Sequence, residues 1–182
     1  MKPLLILDLD ETLIYSSEHP LQSISYTQIG EYFTYSRPYI EEFFHGIKAI
    51  FDIGIWSSSS DKYAHAVVST VLPKCFAPVF VYGRSKCTQA FDHYRGNVVF
   101  KKKLIKLKKK GYSLEKMLIV DDSPEKVKDN YGNAIYVKEW TGDQNDKELQ
   151  YLKIYLQKIS NEENFRTIEK RFWRREINEN CA

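Results

Sequence analysis

Short apolar runs recur along the chain, each followed by a stretch in which apolar residues fall three or four positions apart. LLILD at 4–8, IFDIGIW at 50–56, PVFVY at 78–82, MLIVD at 117–121 and AIYVK at 134–138 are rich in Val, Ile and Leu and end in polar or turn residues. Near-continuous runs of this length suit strands buried on both faces of a parallel sheet. Between them, 38–48, 61–71, 101–110 and 124–130 carry apolar residues at helical spacing, and 146–158 adds a last helix with Asp146 as its cap. Pro38 and Pro124 fall in first turns, where a helix tolerates proline, and Ser123 stands where a cap belongs. Alternating strand and helix patterns predict an α/β domain with a parallel sheet.

Residues 15–36 break the pattern. They are rich in Ser, Tyr and Thr, with a turn candidate at Gly30 and alternation in EYFTY, which predicts a small β-hairpin flap. At the other end, 162–176 is basic and aromatic. A helix that docks Phe165, Ile168 and Phe172 onto the body is expected there, so the chain reads as one domain over 1–160 with an appended helix in 161–182.

Composition narrows the class. The 182 residues are 43% hydrophobic and 28% charged, the balance of a soluble globular domain. No apolar run approaches the roughly 20 residues a membrane helix needs. Acidic groups interrupt the N-terminus before a signal-peptide core could form, so a cytoplasmic protein without membrane contact is expected. Twenty-seven Lys and Arg against 24 Asp and Glu leave +3, too little to argue for nucleic acid. Cys75, Cys87 and Cys181 form no CxxC pair, and the four histidines lack zinc-site spacing. A reduced monomer is the expectation.

The chemistry concentrates at strand ends. The first run closes in Asp8-Leu9-Asp10-Glu11-Thr12, and strand alternation puts residues 8 and 10 on one side. The fourth run closes in Asp121-Asp122 before Ser123-Pro124, and the second runs into Ser57-Ser58-Ser59-Ser60. In open parallel sheets, ligands bind beyond the carboxyl ends of strands. Carboxylates from two strands around one crevice repel unless something positive sits among them, and a hard divalent cation such as Mg²⁺ takes oxygen ligands together with phosphate.

These motifs resemble those of the haloacid-dehalogenase superfamily, and within it the NLI-interacting-factor-like phosphatases that act on the C-terminal domain of RNA polymerase II. The residues that carry the resemblance are LDLDETL at 7–13, RPYIEEF at 37–43, IWSSSSDKYA at 55–64, RGN at 95–97, KKL at 102–104 and VDDSP at 120–124. It implies a Rossmann-like fold and a Mg²⁺-dependent phosphatase. Asp8 would be the nucleophile and Asp10 the general acid and base. Ser57, Thr12 and Lys102 would hold the phosphate, and Asp8, the Asp10 carbonyl, Asp121 and Asp122 would hold the metal. Tyr63 and Arg95 would lie near the substrate. The lysine is read as Lys102 by anchoring on Leu104, with Lys101 as runner-up. One divalent cation and Lys102 would then balance Asp8, Asp121 and Asp122, so that a phosphate dianion enters a nearly neutral site.

Two intervals set the size of any cap over that site. Residues 13–56 and 58–101 are already filled by the flap, helices and strands, so no large cap is expected. An open cleft suits a phosphorylated side chain on a protein or peptide. The 15–36 insert is shorter than in the eukaryotic polymerase-tail enzymes, and the 165–176 tail resembles endings of bacterial members. A phosphatase of small molecules or polynucleotide ends is the alternative, and a non-catalytic adaptor the reading from another class.

Overall fold

The structure is a computed structural model and describes residues 2–93 and 96–178. Along the chain β1 (Leu4–Leu7), β2 (Ile14–Ser17), β3 (Thr27–Ile29) and β4 (Tyr32–Ser36) precede α1 (Ile40–Ile47), β5 (Asp52–Trp56), α2 (Asp61–Thr70) and β6 (Phe80–Tyr82). Then follow β7 (Thr88–Asp92), β8 (Asn97–Lys101), β9 (Met117–Asp121), α3 (Pro124–Val127), β10 (Ala134–Tyr136), α4 (Glu148–Ile159) and α5 (Trp173–Asn178). The five apolar runs pair side by side in one all-parallel sheet of order β10-β9-β1-β5-β6. Register brings Leu7 of β1 level with Ile55 of β5 and Val120 of β9. Asp8, Ser57 and Asp121 therefore leave the sheet at one edge.

Strand alternation divides the core. Leu5, Leu7, Ile53, Ile55, Leu118 and Val120 face α1, α2 and α4, which supply Phe43, Phe44, Val67, Leu152 and Leu156. Leu4, Ile6, Trp56, Met117 and Ile119 face the other way onto Leu104, Leu107 and Val127. Each such side chain contributes about 1.5–3 kcal/mol by leaving water, and burial on both faces explains why the strands read as continuous apolar runs.

Several elements differ from the sequence expectation. The flap is a three-stranded antiparallel sheet of order β2-β4-β3, since IYSS at 14–17 pairs with the EYFTY strand and TQI adds a third strand. The expected helix at 101–110 begins instead as the end of β8, which pairs antiparallel with β7. A 3₁₀ helix, Leu104–Lys110, follows. Leu104 and Leu107 are buried, and a three-residue turn stacks positions three apart on one edge. Residues 124–130 divide into α3 and one 3₁₀ turn, and Ser123 makes no cap bond to α3 because its hydroxyl goes to Asp122. At the last long helix Asp146 accepts from the Glu148 amide at 3.1 Å, ahead of a first turn at Glu148. The tail holds one 3₁₀ turn at Phe165–Thr167 and the short α5. Phe165 is buried and Ile168 packs on the core, but Phe172 is half exposed, and Trp173 and Ile177 take the buried places. Among the described residues no helix is long and apolar enough to cross a membrane, and no separate cap domain covers the sheet edge.

Candidate active site

The strand ends converge on a buried cluster of charge. Asp8 follows β1 and its amide donates to the Val120 carbonyl at 3.0 Å, tying the start of the loop to β9. The Lys102 ammonium, wholly buried, lies 2.7 Å from Asp8 Oδ1 and 2.6 Å from Asp121 Oδ2. The backbone holds it there. The Lys102 amide donates to the Lys126 carbonyl at 2.8 Å, and Asn130 clamps the Lys102 carbonyl at 2.5 Å and the Leu104 amide at 3.0 Å. Lys101, the other lysine weighed from sequence, turns away to Asp129 at 3.0 Å.

Asp8, Asp121 and Asp122 each present an oxygen within 4.8 Å of the others. Asp122 is held by Thr12, which donates to Oδ1 at 3.1 Å, and by Ser123, which donates to Oδ2 at 2.9 Å. Asp121 Oδ1 accepts from the Ser123 amide at 2.9 Å. Both Asp8 oxygens are buried without a hydrogen-bond donor in suitable geometry, although Lys102 pairs with one. Burial and the charge of Asp8 push the Asp121 carboxyl above its ordinary range despite Lys102. Three close carboxylate oxygens, with Asp8 Oδ2 left without a hydrogen-bond donor, are a donor set that fits a hard cation such as Mg²⁺.

Asp10 stands one step outward on a different set of partners. Its Oδ2 accepts from Ser57 at 3.1 Å and Ser59 at 2.8 Å, and its Oδ1 accepts from Tyr63 at 2.9 Å. Burial, then the charge of Asp8, raises its carboxyl, and the three hydroxyls oppose that rise. The Asp10 carboxylate is thus outside the cluster of Asp8, Asp121 and Asp122, on hydroxyl partners of its own. Glu11 follows in the left-handed region at φ 59, its carboxyl raised to about 7 by burial and by Asp10 and Asp122.

The remaining residues expected from sequence take these places. Thr12 donates its single hydroxyl proton to Asp122 and so supports one acid of the cluster. Tyr63 reaches Asp10 as well as lining the cleft. Arg95 lies outside the described residues. Among the described residues Arg84 lines the cleft; its Nε donates to the Ser58 carbonyl at 2.8 Å while its guanidinium carbon rests 4.7 Å from the Phe100 ring centre. It follows Gly83, where an added Cβ would stand 2.6 Å from the Asp61 Cα, so only glycine lets β6 close onto the start of α2. Lys126 of α3 brings its ammonium to 3.8 Å from Asp8 Oδ2; burial disfavours its charge, but Asp8, Asp121, Asp122 and Glu11 outweigh that and raise it. Sequence reasoning missed Arg84 and Lys126. Both stand two residues past a strand end or a helix-start proline, positions the sheet-edge rule already marks.

Above these groups opens a cleft of about 470 Å³ lined by Asp10, Glu11, Ser16, Tyr32, Ser58–Ser60, Tyr63, Arg84 and Lys126. The flap is one wall and the β6 end another. Sheet order, edge and cluster together make this a haloacid-dehalogenase-type fold, Rossmann-like and, among the described residues, without a large cap. The structure of Fcp1, described as an essential RNA polymerase II CTD phosphatase, superposes with a TM-score of 0.68 at 16% identity over 87% of this chain and 62% of that one. The fission yeast enzyme bound to beryllium fluoride gives 0.60 at 15% identity over 98% of this chain and 62% of that one.

Within that fold, the chain belongs to the NLI interacting factor-like phosphatase family, whose sequence model matches residues 3–166. It is 32% identical to CTD small phosphatase-like protein 2 of Dictyostelium discoideum, over 89% of this chain and 28% of that protein. It is 30% identical to the human CTD small phosphatase-like protein over 89% of this chain and 58% of that one. The chain thus spans less than two thirds of the length of these curated relatives.

Proposed function

We propose that the chain is a Mg²⁺-dependent phosphatase that forms an aspartyl-phosphate on Asp8 and acts on phosphorylated protein side chains. One observation carries this reading: the Asp8 carboxylate is buried among two lysines and two further acids with an oxygen free of hydrogen-bond donors, beside an Asp10 whose carboxyl is raised. An Asp8 oxygen attacks phosphorus, the ester P–O bond breaks, and the leaving oxygen takes the proton of Asp10. Water then attacks the phosphorus of the aspartyl-phosphate and gives a proton to Asp10, and the bond to Asp8 breaks. Lys102 and Lys126 stand where they offset the charge of the phosphoryl oxygens. Asp8, Asp121 and Asp122 would hold Mg²⁺, which when bound neutralises further phosphoryl charge.

The open cleft supports a protein-borne substrate, as does the resemblance to proteins named for the polymerase C-terminal domain. Without a cap, a small ester has few groups beyond the phosphate through which to contribute binding energy. Phosphopeptides should therefore exceed sugar phosphates and nucleotides by at least about tenfold in kcat/KM, near 1.4 kcal/mol. Steady-state kinetics on a matched panel with Mg²⁺ tests this. A sugar phosphate or nucleotide that outperforms every phosphopeptide would favour the small-molecule alternative.

A further inference from the structure

Three hydroxyls link the flap to Asp10. Thr34 Oγ1 lies 2.8 Å from Ser16 Oγ, Ser16 Oγ lies 2.7 Å from the Tyr63 hydroxyl, and that hydroxyl donates to Asp10 Oδ1 at 2.9 Å. Ser16 and Thr34 are register partners across β2 and β4, so the sheet itself fixes their spacing. Thr34 is buried and Ser16 half-buried. Each hydroxyl carries one proton, which sets the direction of the chain. Tyr63 gives its proton to Asp10, so Ser16 must give its own to Tyr63, and Thr34 must give its own to Ser16. Linked hydroxyls polarise one another, and deleting one weakens the rest.

We propose that Ser16 and Thr34 are positioning residues that, through Tyr63, hold the Asp10 carboxylate at the angle from which it serves the leaving oxygen. Ser57 and Ser59 hold only Oδ2, so the flap-borne chain is what pins Oδ1. The flap is then a wall of the cleft and also part of the acid's support. Tyr32, the first residue of β4 and exposed at the cleft, meets the Tyr63 ring edge-on at 6.3 Å between centres. A substrate chain seated on Tyr32 therefore presses on the residue that aligns Asp10, a physical route by which remote contacts can act on the reacting centre. This inference rests on the reading of Asp10 as the group that protonates the leaving oxygen.

Leaving-group dependence separates positioning from general damage. An alkyl phosphate such as phosphoserine in a peptide needs its leaving oxygen protonated, whereas p-nitrophenolate leaves as an anion. Ser16→Ala and Thr34→Val should each lower kcat/KM for the phosphoserine peptide about tenfold and for p-nitrophenyl phosphate less than twofold. Ser16→Thr, which keeps the hydroxyl, should restore most of the loss. In a Tyr63→Phe background Ser16→Ala should add nothing, because the link it acts through is already gone. Equal losses on both substrates, or full additivity with Tyr63→Phe, would overturn the proposal. Should Thr34→Val fail to fold, Ser16→Ala decides alone. A wild type inactive on both substrates counts against the phosphatase reading, and the crystal structure of Ser16→Ala then decides the inference by itself. A displaced Asp10 carboxylate supports it, and an Asp10 and Tyr63 pair unmoved at hydrogen-bond distance overturns it.

Discussion

Lys102 carries the charge balance of the site. It is wholly buried, and its ammonium is the direct partner of both Asp8 and Asp121. Burial alone would lower its affinity for a proton, but the two carboxylates outweigh that and raise it. Lys102→Met keeps the length of the side chain and strands two carboxylates in the interior. Removing one partner of a buried ion pair costs about 3–5 kcal/mol. For a chain of this size that lowers the melting temperature by roughly 10 °C. Mg²⁺ bound by Asp8, Asp121 and Asp122 would restore positive charge there, so it should raise the melting temperature of Lys102→Met more than that of the wild type. Thermal melts with Mg²⁺ and with EDTA at pH 8 check both statements. A variant that melts with the wild type in EDTA would contradict this account of the lysine.

At the scale of elements, the site depends on loops held from behind. Arg37, between β4 and α1, is buried and forms a two-pronged pair with Asp146 at 2.8 and 2.9 Å. It also donates to the Thr12 and Lys138 carbonyls at 2.9 Å, joining the loop after β1 to the loop before α4. Burial pushes the Asp146 carboxyl up, but the hydrogen bonds and charge of Arg37 outweigh it and hold the group below its usual range. A carboxyl lowered on folding contributes stability above its unfolded value, about 3.9, and loses it as pH falls through the folded value. Arg37→Ala should therefore cost about 3–5 kcal/mol at pH 7. Urea unfolding should show that difference narrowing well below pH 4; a difference that stays constant down to pH 3 would contradict the pairing. From sequence, Arg37 reads only as part of a helix-start motif, because its partner lies 109 positions away. The parallel sheet was legible because its strands are buried on both faces, and the acids because they follow apolar runs directly. The β7–β8 hairpin was not, since NVVFK at 97–101 merges into a lysine run with helical spacing and its pairing with TQAFD is set by the fold. Lys126 and Arg84 were hidden for a similar reason. A surface lysine and a cleft lysine look alike until α3 and β6 are placed at the edge.

Over the whole molecule, the fold gathers more negative than positive charge at one sheet edge, and that sets how the edge responds to pH and cation. Burial and neighbouring acids raise the carboxyls of Asp10 and Asp121, and bring Glu11 to about 7. A cation favours the charged forms, so binding Mg²⁺ near neutral pH should release protons, and affinity should weaken as pH falls from 8 to 6. Calorimetry in two buffers of different ionisation enthalpy measures the release; none at pH 7 would contradict the assignment of the acidic cluster. The covalent step on Asp8 is the centre of the account, and rapid-quench trapping tests it most directly. Enzyme mixed with a phosphopeptide and Mg²⁺, quenched in acid and digested, should yield one phosphorylated peptide spanning Leu4–Leu13. Its label should be labile to hydroxylamine and absent from Asp8→Asn, which should keep its fold and lose at least roughly a thousandfold in turnover. Label on another residue, or Asp8→Asn retaining a tenth of wild-type turnover, would contradict the mechanism.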